Sequence, residues 1–482
     1  MEKERENPMD VSKFKFTLSK DKKSYKISFF IANEEDIKEV VIPSTYQGLP
    51  VTAIGEAYCK SLLSLRIPSS IQSIDSFAFE GCSKLASVYL PASLTHFGYG
   101  AFADCEELAS IEVDPLNPVY KSEGNCLLSK DGKVLLQGCK TSLIPDSVVR
   151  IGTEAFCHCS GLTSLRIPSS VKEIWFGAFE ECRNLTSLVL PSSVQSIYSF
   201  AFKGCSKLAS VYLPASVTHY GYAVFADCEE LSSIEVDPLN PVYKSAGNCL
   251  LSKDGKVLLQ GCKTSLIPDS VVRIGTEAFC QCSGLTTLRI PSSVKEIGFN
   301  AFMECWNLTT FLPSSVTKIE ALAFQDCWSI RSLFVPSSLT SINTEAFDAC
   351  CGIASIEVAP LNPVYKSEGN CLLSKDGKTL LLGCRNSIIP RSVTTIAKGA
   401  FSNCYALSFL IIPSSVQTIE KWAFVSCTHL FGLLCEAREK PKGWDDHWMV
   451  RCIREPYWFS ETPKKEGRYW HYQKDGKTYE LW

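Results

Sequence analysis

One spacing constrains this chain more than any other feature. Thirteen of its 24 cysteines form a series: Cys59, Cys82, Cys105, Cys159, Cys182, Cys205, Cys228, Cys282, Cys305, Cys327, Cys350, Cys404 and Cys427. Most steps are 23 residues, one is 22, and three are 54, which is one period plus a 31-residue insertion. Around each cysteine the unit reads roughly IPSSVxxIxxxAFxxCxxLxxLxIP, as in IPSSVKEIGFNAFMECWNL from Ile290 to Leu308. A fixed period of this length marks a solenoid, because each unit is too small to bury its apolar side except against its neighbours.

The period has a mechanical reading. LTSLRI (Leu162–Ile167) alternates as a short strand does, and Pro168 then denies the ladder a donor. Ser169-Ser170 makes a turn, Val171–Ile174 starts a second extended piece, and the AF…C segment returns the chain through a tight turn or short helix. Phenylalanine stands three residues before nearly every ladder cysteine, at 79, 102, 156, 179, 202, 225, 279, 302, 324, 347, 401 and 424. Stacked in register these rings predict a continuous aromatic spine, each worth roughly 1.5–3 kcal/mol when buried. The first repeat is irregular, with Glu56 at the phenylalanine position.

Each 54-residue step carries PLNPVYKSEGNCLLSKDGKVLLQGCKTSLIP (Pro115–Pro145) or a close copy at 238–268 and 360–390. Apolar runs flank Asp131-Gly132, Asp254-Gly255 and Asp376-Gly377, which predicts hairpins with type I′ turns projecting from one edge of the solenoid. Two roles fit these hairpins, binding a partner or extending the sheet. The block of three simple repeats and one hairpin repeat recurs every 122–123 residues, and the first two blocks are nearly identical. Differences between blocks therefore show what the scaffold does not require.

The unit resembles the leucine-rich repeat of the BspA-type family, over roughly residues 41–435. The tail from Cys435 to Gly476 is similar to the C-terminal end of bacterial members. The resemblance implies a curved right-handed leucine-rich-repeat solenoid with a parallel β-sheet, three hairpin insertions and capped ends. It also implies a surface protein that binds host proteins or other cells. The domain reading is a β-hairpin cap over 1–40, the solenoid over 41–435, and a Trp-rich cap over 436–482.

Composition narrows the function. Hydrophobic content of 45% with 21% charge suits a folded chain, and a net charge of −3 without a Lys/Arg stripe argues against nucleic acid. The charged start MEKERENPMDVSKFKF has no apolar core of a signal peptide, and no apolar run reaches membrane-spanning length. The sequence alone therefore reads as cytoplasmic with no membrane insertion, whereas the resemblance implies cell-surface placement or secretion by another route. A monomer with no cofactor is expected.

Cys157-His158-Cys159 invites a metal or catalytic reading, but its counterparts are Cys280-Gln281-Cys282 and Ser402-Asn403-Cys404. A zinc site needs three or four ligands together, so no metal and no catalytic residue is assigned. G-x-S-x-G, Walker and H-E-x-x-H motifs are missing, and the chain reads as no enzyme. Rungs about 4.8 Å apart would permit disulfides, but every rung has two equivalent neighbours. Stacked free thiols are the expectation.

One column looks functional. Two residues before the strand-ending position stand Arg66, Tyr89, Glu112, Arg166, Val189, Tyr212, Glu235, Arg289, Phe311, Phe334, Glu357 and Ile411. The position two residues earlier is mostly serine, at 64, 87, 110, 164, 187, 210 and 233. Large Arg, Tyr and Phe side chains over small serines have interface composition, although an ordinary solvated strand face has the same pattern. The expectation is a scaffold binding a protein ligand through this column, with Arg66, Tyr89, Glu112, Arg166, Tyr212, Glu235, Arg289, Phe334 and Glu357 as its residues. The alternative is glycan binding in the tail, where Trp444, Trp448, Trp458 and Trp470 (with Trp482) could stack on sugar rings or simply form the cap.

Overall fold

The structure is a computed structural model that describes residues 11–31, 37–309, 312–452, 454–464, 467–473 and 478–481. Phe311, Trp482 and the second KDGK turn at 474–477 lie outside the described residues. The chain divides into two units, Met1–Ser245 and Ala246–Trp482. Each is a β-solenoid of repeat turns, and the helix among the described residues is limited to two short 3₁₀ turns, Val11–Lys13 and Thr344–Phe347.

The most regular ladder is the VxxI segment. In the first unit Arg150–Ile151, Glu173–Ile174, Ser196–Ile197 and His219–Tyr220 pair in parallel, one two-residue strand per repeat. In the second unit Arg273–Ile274, Glu296–Ile297, Lys318–Ile319 and Ser341–Ile342 do the same. The inward isoleucines of these strands, from Ile151 to Ile319, are buried, so each short strand is held by core packing as much as by its two or three backbone bonds.

The LxxLxIP segment behaves differently from the expectation. Four-residue strands pair at Ser87–Leu90 with Ser110–Val113, Ser210–Leu213 with Ser233–Val236, Ser332–Val335 with Ser355–Val358, and Phe409–Ile412 with Gly432–Cys435, and a three-residue pair joins Glu39–Val41 to Ser64–Arg66. At LTSLRI the only ladder bridge is Ser164 to Ser187. The four-residue pairs share an amide where the other repeats have proline. In these four cases the second repeat ends in a residue with an amide, and Asp114, Asp237, Ala359 and Glu436 donate to the carbonyls of Leu90, Leu213, Val335 and Ile412, each at 2.9 Å. After Leu190 stands Pro191, which has no N–H to close the pair with Ile167. The in–out alternation of side chains persists there without a full ladder.

The AF…C segment forms a turn with residues in the left-handed region. The residue before the ladder cysteine has positive φ at Asp104 (53°), His158 (55°), Glu181 (61°), Asp227 (54°), Gln281 (56°) and Glu304 (57°). The cysteine closes the turn on the repeat before it. Cys182 Sγ donates to Phe156 O at 3.1 Å, Cys205 to Phe179 O at 3.3 Å, Cys305 to Phe279 O at 3.0 Å and Cys427 to Phe401 O at 3.0 Å. A small side chain with a weak donor fits this buried corner, where a hydroxyl would be more costly to desolvate and a leucine would overpack. All 24 cysteines are unbridged in the structure. The ladder has one rung more than the spacing shows, since Cys452 donates to Phe424 O at 3.0 Å.

The phenylalanine spine is real but broken. Phe156, Phe179, Phe202 and Phe225 stack with centroids 5.1–5.4 Å apart and planes within 11°, and Phe279, Phe302, Phe324 and Phe347 repeat the arrangement. The hairpin repeat interrupts it, because a glycine occupies the ring's place. Gly138 N donates to Ala155 O, the bond that Phe79 N makes to Ala101 O in a simple repeat. A Cβ on Gly138 would fall 2.0 Å from Phe156 Cε1, and Gly261 and Gly383 stand in the same relation to Phe279 and Phe401. The first repeat also needs correction: Glu56 is exposed, and Ala57 takes the ring's position, buried and donating to Ala78 O. It lies within the long strand Leu49–Cys59, paired with Tyr25–Ile31.

The hairpins extend the sheet and do not project from it. Val134–Gln137 pairs antiparallel with Cys126–Ser129 and, on its other edge, parallel with Arg150–Ile151. Cys126, Leu127 and Leu128 are fully buried. The turn is not type I′: between Ser129 and Gly132 only the glycine has positive φ. Asp131 Oδ1 accepts from Ser129 Oγ and Lys133 N, a local bond that holds the aspartate on the right-handed side and pushes the left-handed step onto Gly132. The PLNP motif has a structural reason as well. Asn117 is fully buried, its Nδ2 donates to Pro91 O and Leu94 O at 2.9 Å, and its Oδ1 accepts from Val119 N and Tyr120 N at 2.8 Å.

In the first unit Lys15–Leu18 pairs antiparallel with Tyr25–Ile31, and this hairpin lies on the first repeat. In the second unit Tyr457–Phe459 and Tyr469–Tyr472 continue the sheet of Gly432–Cys435 in parallel, and Tyr479–Leu481 closes it antiparallel.

Candidate functional site

The column two residues before the strand end is exposed at the nine residues assigned to binding and at Val189, and half-buried at Ile411. Arg66, Tyr89, Glu112, Arg166, Tyr212 and Glu235 in the first unit all face solvent, as do Arg289, Phe334 and Glu357 in the second. Inward neighbours such as Val88, Leu90, Val211 and Leu213 are buried, so the pleat fixes which way each column residue points. Parallel register sets Tyr89 beside Glu112, Tyr212 beside Glu235 and Phe334 beside Glu357. Arg66 Nε is 2.9 Å from Glu39 Oε1, an exposed pair that contributes little to stability.

The blocks differ informatively here. Partial burial and the Asp114 and Asp237 carboxylates raise the phenols of Tyr89 and Tyr212 above their ordinary value. In the third block both members change, to Phe334 and Ala359. The phenol and the carboxylate are lost together while the aromatic ring stays, about 47–48% exposed in all three copies.

Counting from cysteines overlooks part of this face. Counted from Pro145, Pro268 and Pro390, the hairpin repeats contribute Leu143, Leu266 and Ile388 to the same column, 75%, 74% and 73% exposed. Flanking Ser142 and Ile144 are buried, which confirms the alternation. The proline was the signal that locates them. Near the C-terminal end of the second unit, Ile388, Phe409 and Ile411 line a cavity of about 460 Å³ together with Arg391, Glu436 and Tyr472. Arg391 Nη2 and Tyr472 Oη each donate to Glu436 Oε1 at 2.7 Å, and Ser414 N donates to Oε2 at 2.9 Å. Burial alone would raise the Glu436 carboxyl, but these donors outweigh it and hold the group below its usual range. Burial and the Glu436 carboxylate push the Tyr472 phenol up to about 12. The cavity thus has an apolar floor and one fixed ionic wall.

The Cys-His-Cys triplet contains no catalytic arrangement. His158 Nδ1 lies 3.2 Å from Asp104 Oδ2, and that hydrogen bond raises its pKa against the opposing effect of burial. Burial pushes the Cys157 thiol up, and it pushes Cys159 up to about 12, the reverse of what a nucleophile needs. The counterparts of His158 make similar polar bonds, Gln281 to Glu304 at 3.1 Å and Asn403 to Asp348 at 2.9 Å.

Three of the four tail tryptophans do not offer a ring face to a sugar. Trp444, Trp448 and Trp470 are 3%, 6% and 0% exposed, and Trp458 packs against the same core. Trp448 meets Phe424 edge-on at 5.6 Å, at the end of the spine, and Trp444 and Trp470 donate to Val416 O and Cys435 O. An indole buried with its N–H satisfied is a packing element.

Among solved structures the fold is similar to a leucine rich cell surface protein from Faecalibacterium prausnitzii A2-165, at 26% identity and a TM-score of 0.44, covering 83% of this chain and 93% of that one. It is also similar to the pneumococcal vaccine antigen PcpA (17%, TM-score 0.45, 83% and 91% covered) and to a leucine-rich repeat protein from Bacteroides ovatus ATCC 8483 (20%, 0.35, 92% and 90%). No curated protein matches the chain. No helix among the described residues is long and apolar enough to cross a membrane. The model of the BspA type leucine rich repeat region matches in six copies over residues 25–124, 137–246, 260–367 and 382–435, which is most of the sequence. With the 23-residue turn, the cysteine ladder and the phenylalanine runs all in place, this chain belongs to the BspA-type leucine-rich repeat family.

Proposed function

We propose that the chain is a non-enzymatic scaffold that recognises a protein partner across its exposed strand face, in the manner of an adhesion or surface-recognition module. The observation that carries this reading is the column itself. Arginine, tyrosine, phenylalanine and three highly exposed aliphatic side chains stand in register on a backbone fixed by core packing. Such a face is preorganised, so modest contacts add without a large ordering cost. Membership in a family of repeat scaffolds supports the same reading, and so does the pairing of Tyr89, Tyr212 and Phe334 with glutamates, which sets apolar and charged groups alternately along the face. Placement at the cell surface is part of the proposal and rests on the family.

The test compares capture of partners from bacterial and host-cell extracts by the wild type and by an Arg166→Ala/Tyr212→Ala double variant. A partner of this face is retained by the wild type and lost, about ten-fold or more, by the variant. Equal capture by both removes the column from consideration. Protease shaving of intact producing cells checks the location: release of peptides from this chain without lysis is expected.

A further inference from the structure

Along the residues that follow the ladder cysteines, the second unit carries a feature that the exposed column does not explain. Trp328, Arg331, Cys351, Gly352, Tyr405 and His429 line an open cavity of about 480 Å³. Their counterparts in the first block are Ser83, Ala86, Glu106, Glu107, Ser160 and Asn184, and the second block has the same six residue types at 206, 209, 229, 230, 283 and 307. The repeat core is kept across the three blocks, while this lining differs at every one of these positions.

The chemistry of the differences is directional. In the first unit Glu107 bonds Lys140 at 2.5 Å across the equivalent place. In the third block both glutamates are gone, and Arg385 stands at the lysine position without that carboxylate. Gly352 seats its turn closely, since a Cβ there would lie 2.1 Å from Trp328 O. Arg331 is new, and its Nη1 is fixed by Trp328 O at 3.0 Å, which leaves the rest of its donor fork for other acceptors. The indole of Trp328, 48% exposed, is held by its own N–H to Asp326 Oδ1 at 3.1 Å and by stacking on Trp306 at 5.8 Å and 19°. Tyr405 is fixed through its hydroxyl to Asn403 at 3.2 Å. Two carboxylates stand nearby, Asp326 accepting from this indole and Asp348 from Asn403 Nδ2, and these neutral donors orient both groups without removing their charge.

The lining therefore combines immobilised aromatic faces, an arginine fork and a histidine, in a volume suited to one or two rings. We propose that this cavity binds a carboxylated pyranose, a sialic or uronic acid residue of a glycan. The C–H face of the ring lies on Trp328 or Tyr405, whose π faces are electron-rich, and the sugar carboxylate takes the guanidinium of Arg331. The aromatic residues select against a simple anion, and the arginine selects against a neutral sugar. The site is separate from the exposed column, so a partner protein and a glycan can be held by different residues of the same unit.

The experiment titrates the intact chain by calorimetry with 3′-sialyllactose and with a hyaluronan hexasaccharide, using lactose and tetraglutamate as controls. The variants are Trp328→Ser, Arg331→Ala and Tyr405→Ser, each introducing the residue that the first two blocks carry at that place, so the fold is retained and melting curves verify it. At least one acidic sugar should bind, and which one identifies the source of the carboxylate. Each variant should weaken binding at least about ten-fold, and lactose and tetraglutamate should be weaker by a similar factor. Failure of both acidic sugars to bind overturns the proposal. So does lactose or tetraglutamate binding as tightly as the acidic sugar, and so does undiminished binding by the Trp328→Ser or Arg331→Ala variant.

Discussion

At the scale of the residue, a missing side chain sets one of the tightest constraints in the molecule. Gly138 leaves room for the Phe156 ring, and a methyl group there would sit 2.0 Å from Cε1. The ring belongs to a buried stack and has no free direction in which to move. Gly138→Ala should therefore destabilise the chain by about 1–3 kcal/mol, read as a shift in denaturant midpoint at unchanged m. Adding Phe156→Leu should recover part of that loss, and a cost below about 0.5 kcal/mol would mean that the ring moves aside. His158 offers a second test. Its pKa is raised above the ordinary histidine value of 6.5 by Asp104, so its contribution to stability is full below that value and is lost as pH rises through the higher folded value. Thermal unfolding of the wild type should thus weaken over that neutral window by more than unfolding of His158→Gln does, and parallel profiles would contradict the assignment. The dispensability of His158 for chemistry was legible from Gln281 and Asn403. Its left-handed backbone and its bond to a residue 54 positions back in sequence were not, because neither follows from local pattern.

At the scale of the element, polar bonds to single side chains decide what the repeat pattern leaves open. Asn117, a fully buried amide, ties the hairpin repeat to the one before it through two bonds and braces its own turn through two more. Asn117→Ala takes the partner from Leu94 O and from the Val119 and Tyr120 amides, while Pro91 O keeps Leu94 N, at about 1–3 kcal/mol for each group that water cannot reach. A loss of at least about 3 kcal/mol is expected in chemical denaturation, much more than for an exposed asparagine. Asn240 and Asn362 make the equivalent bonds in the other blocks, so the same substitution there should act similarly. The strand pairs follow the same logic on the backbone. Whether an LxxLxIP ladder reaches four residues depends on whether an amide or a proline follows the last strand residue, as Asp114 and Pro191 show, while Ser64–Arg66 before Pro68 pairs over three residues. That rule was present in the sequence, but it reads there as a strand terminator and not as a condition on the neighbouring repeat.

At the scale of the whole chain, a solenoid repeat passes its apolar end to the next, so the last one needs cover. In the second unit Trp444, Trp448 and Trp470 supply it, with Trp448 meeting the terminal Phe424. Truncation after Cys435 should lower the melting temperature markedly and increase light scattering on heating, because each large indole burial is worth several kcal/mol. A truncated chain that melts like the full one would show that this segment is an appendage. The tail's tryptophan content suggested either a cap or a sugar site; Trp444, Trp448 and Trp470 are buried, whereas Trp306, Trp328 and Tyr405 are among the exposed aromatics of the same unit.

By itself the sequence determined the repeat, its period, the phenylalanine and cysteine positions and the outward column, because these depend on periodic burial and periodicity is written along the chain. The tertiary structure decided where the spine breaks, which strands close, that the hairpins join the sheet, and which residues from separate repeats line each cavity. Those outcomes depend on groups brought together across 23 or 54 residues by stacking, where one glycine, one proline or one asparagine changes the contact without disturbing the pattern.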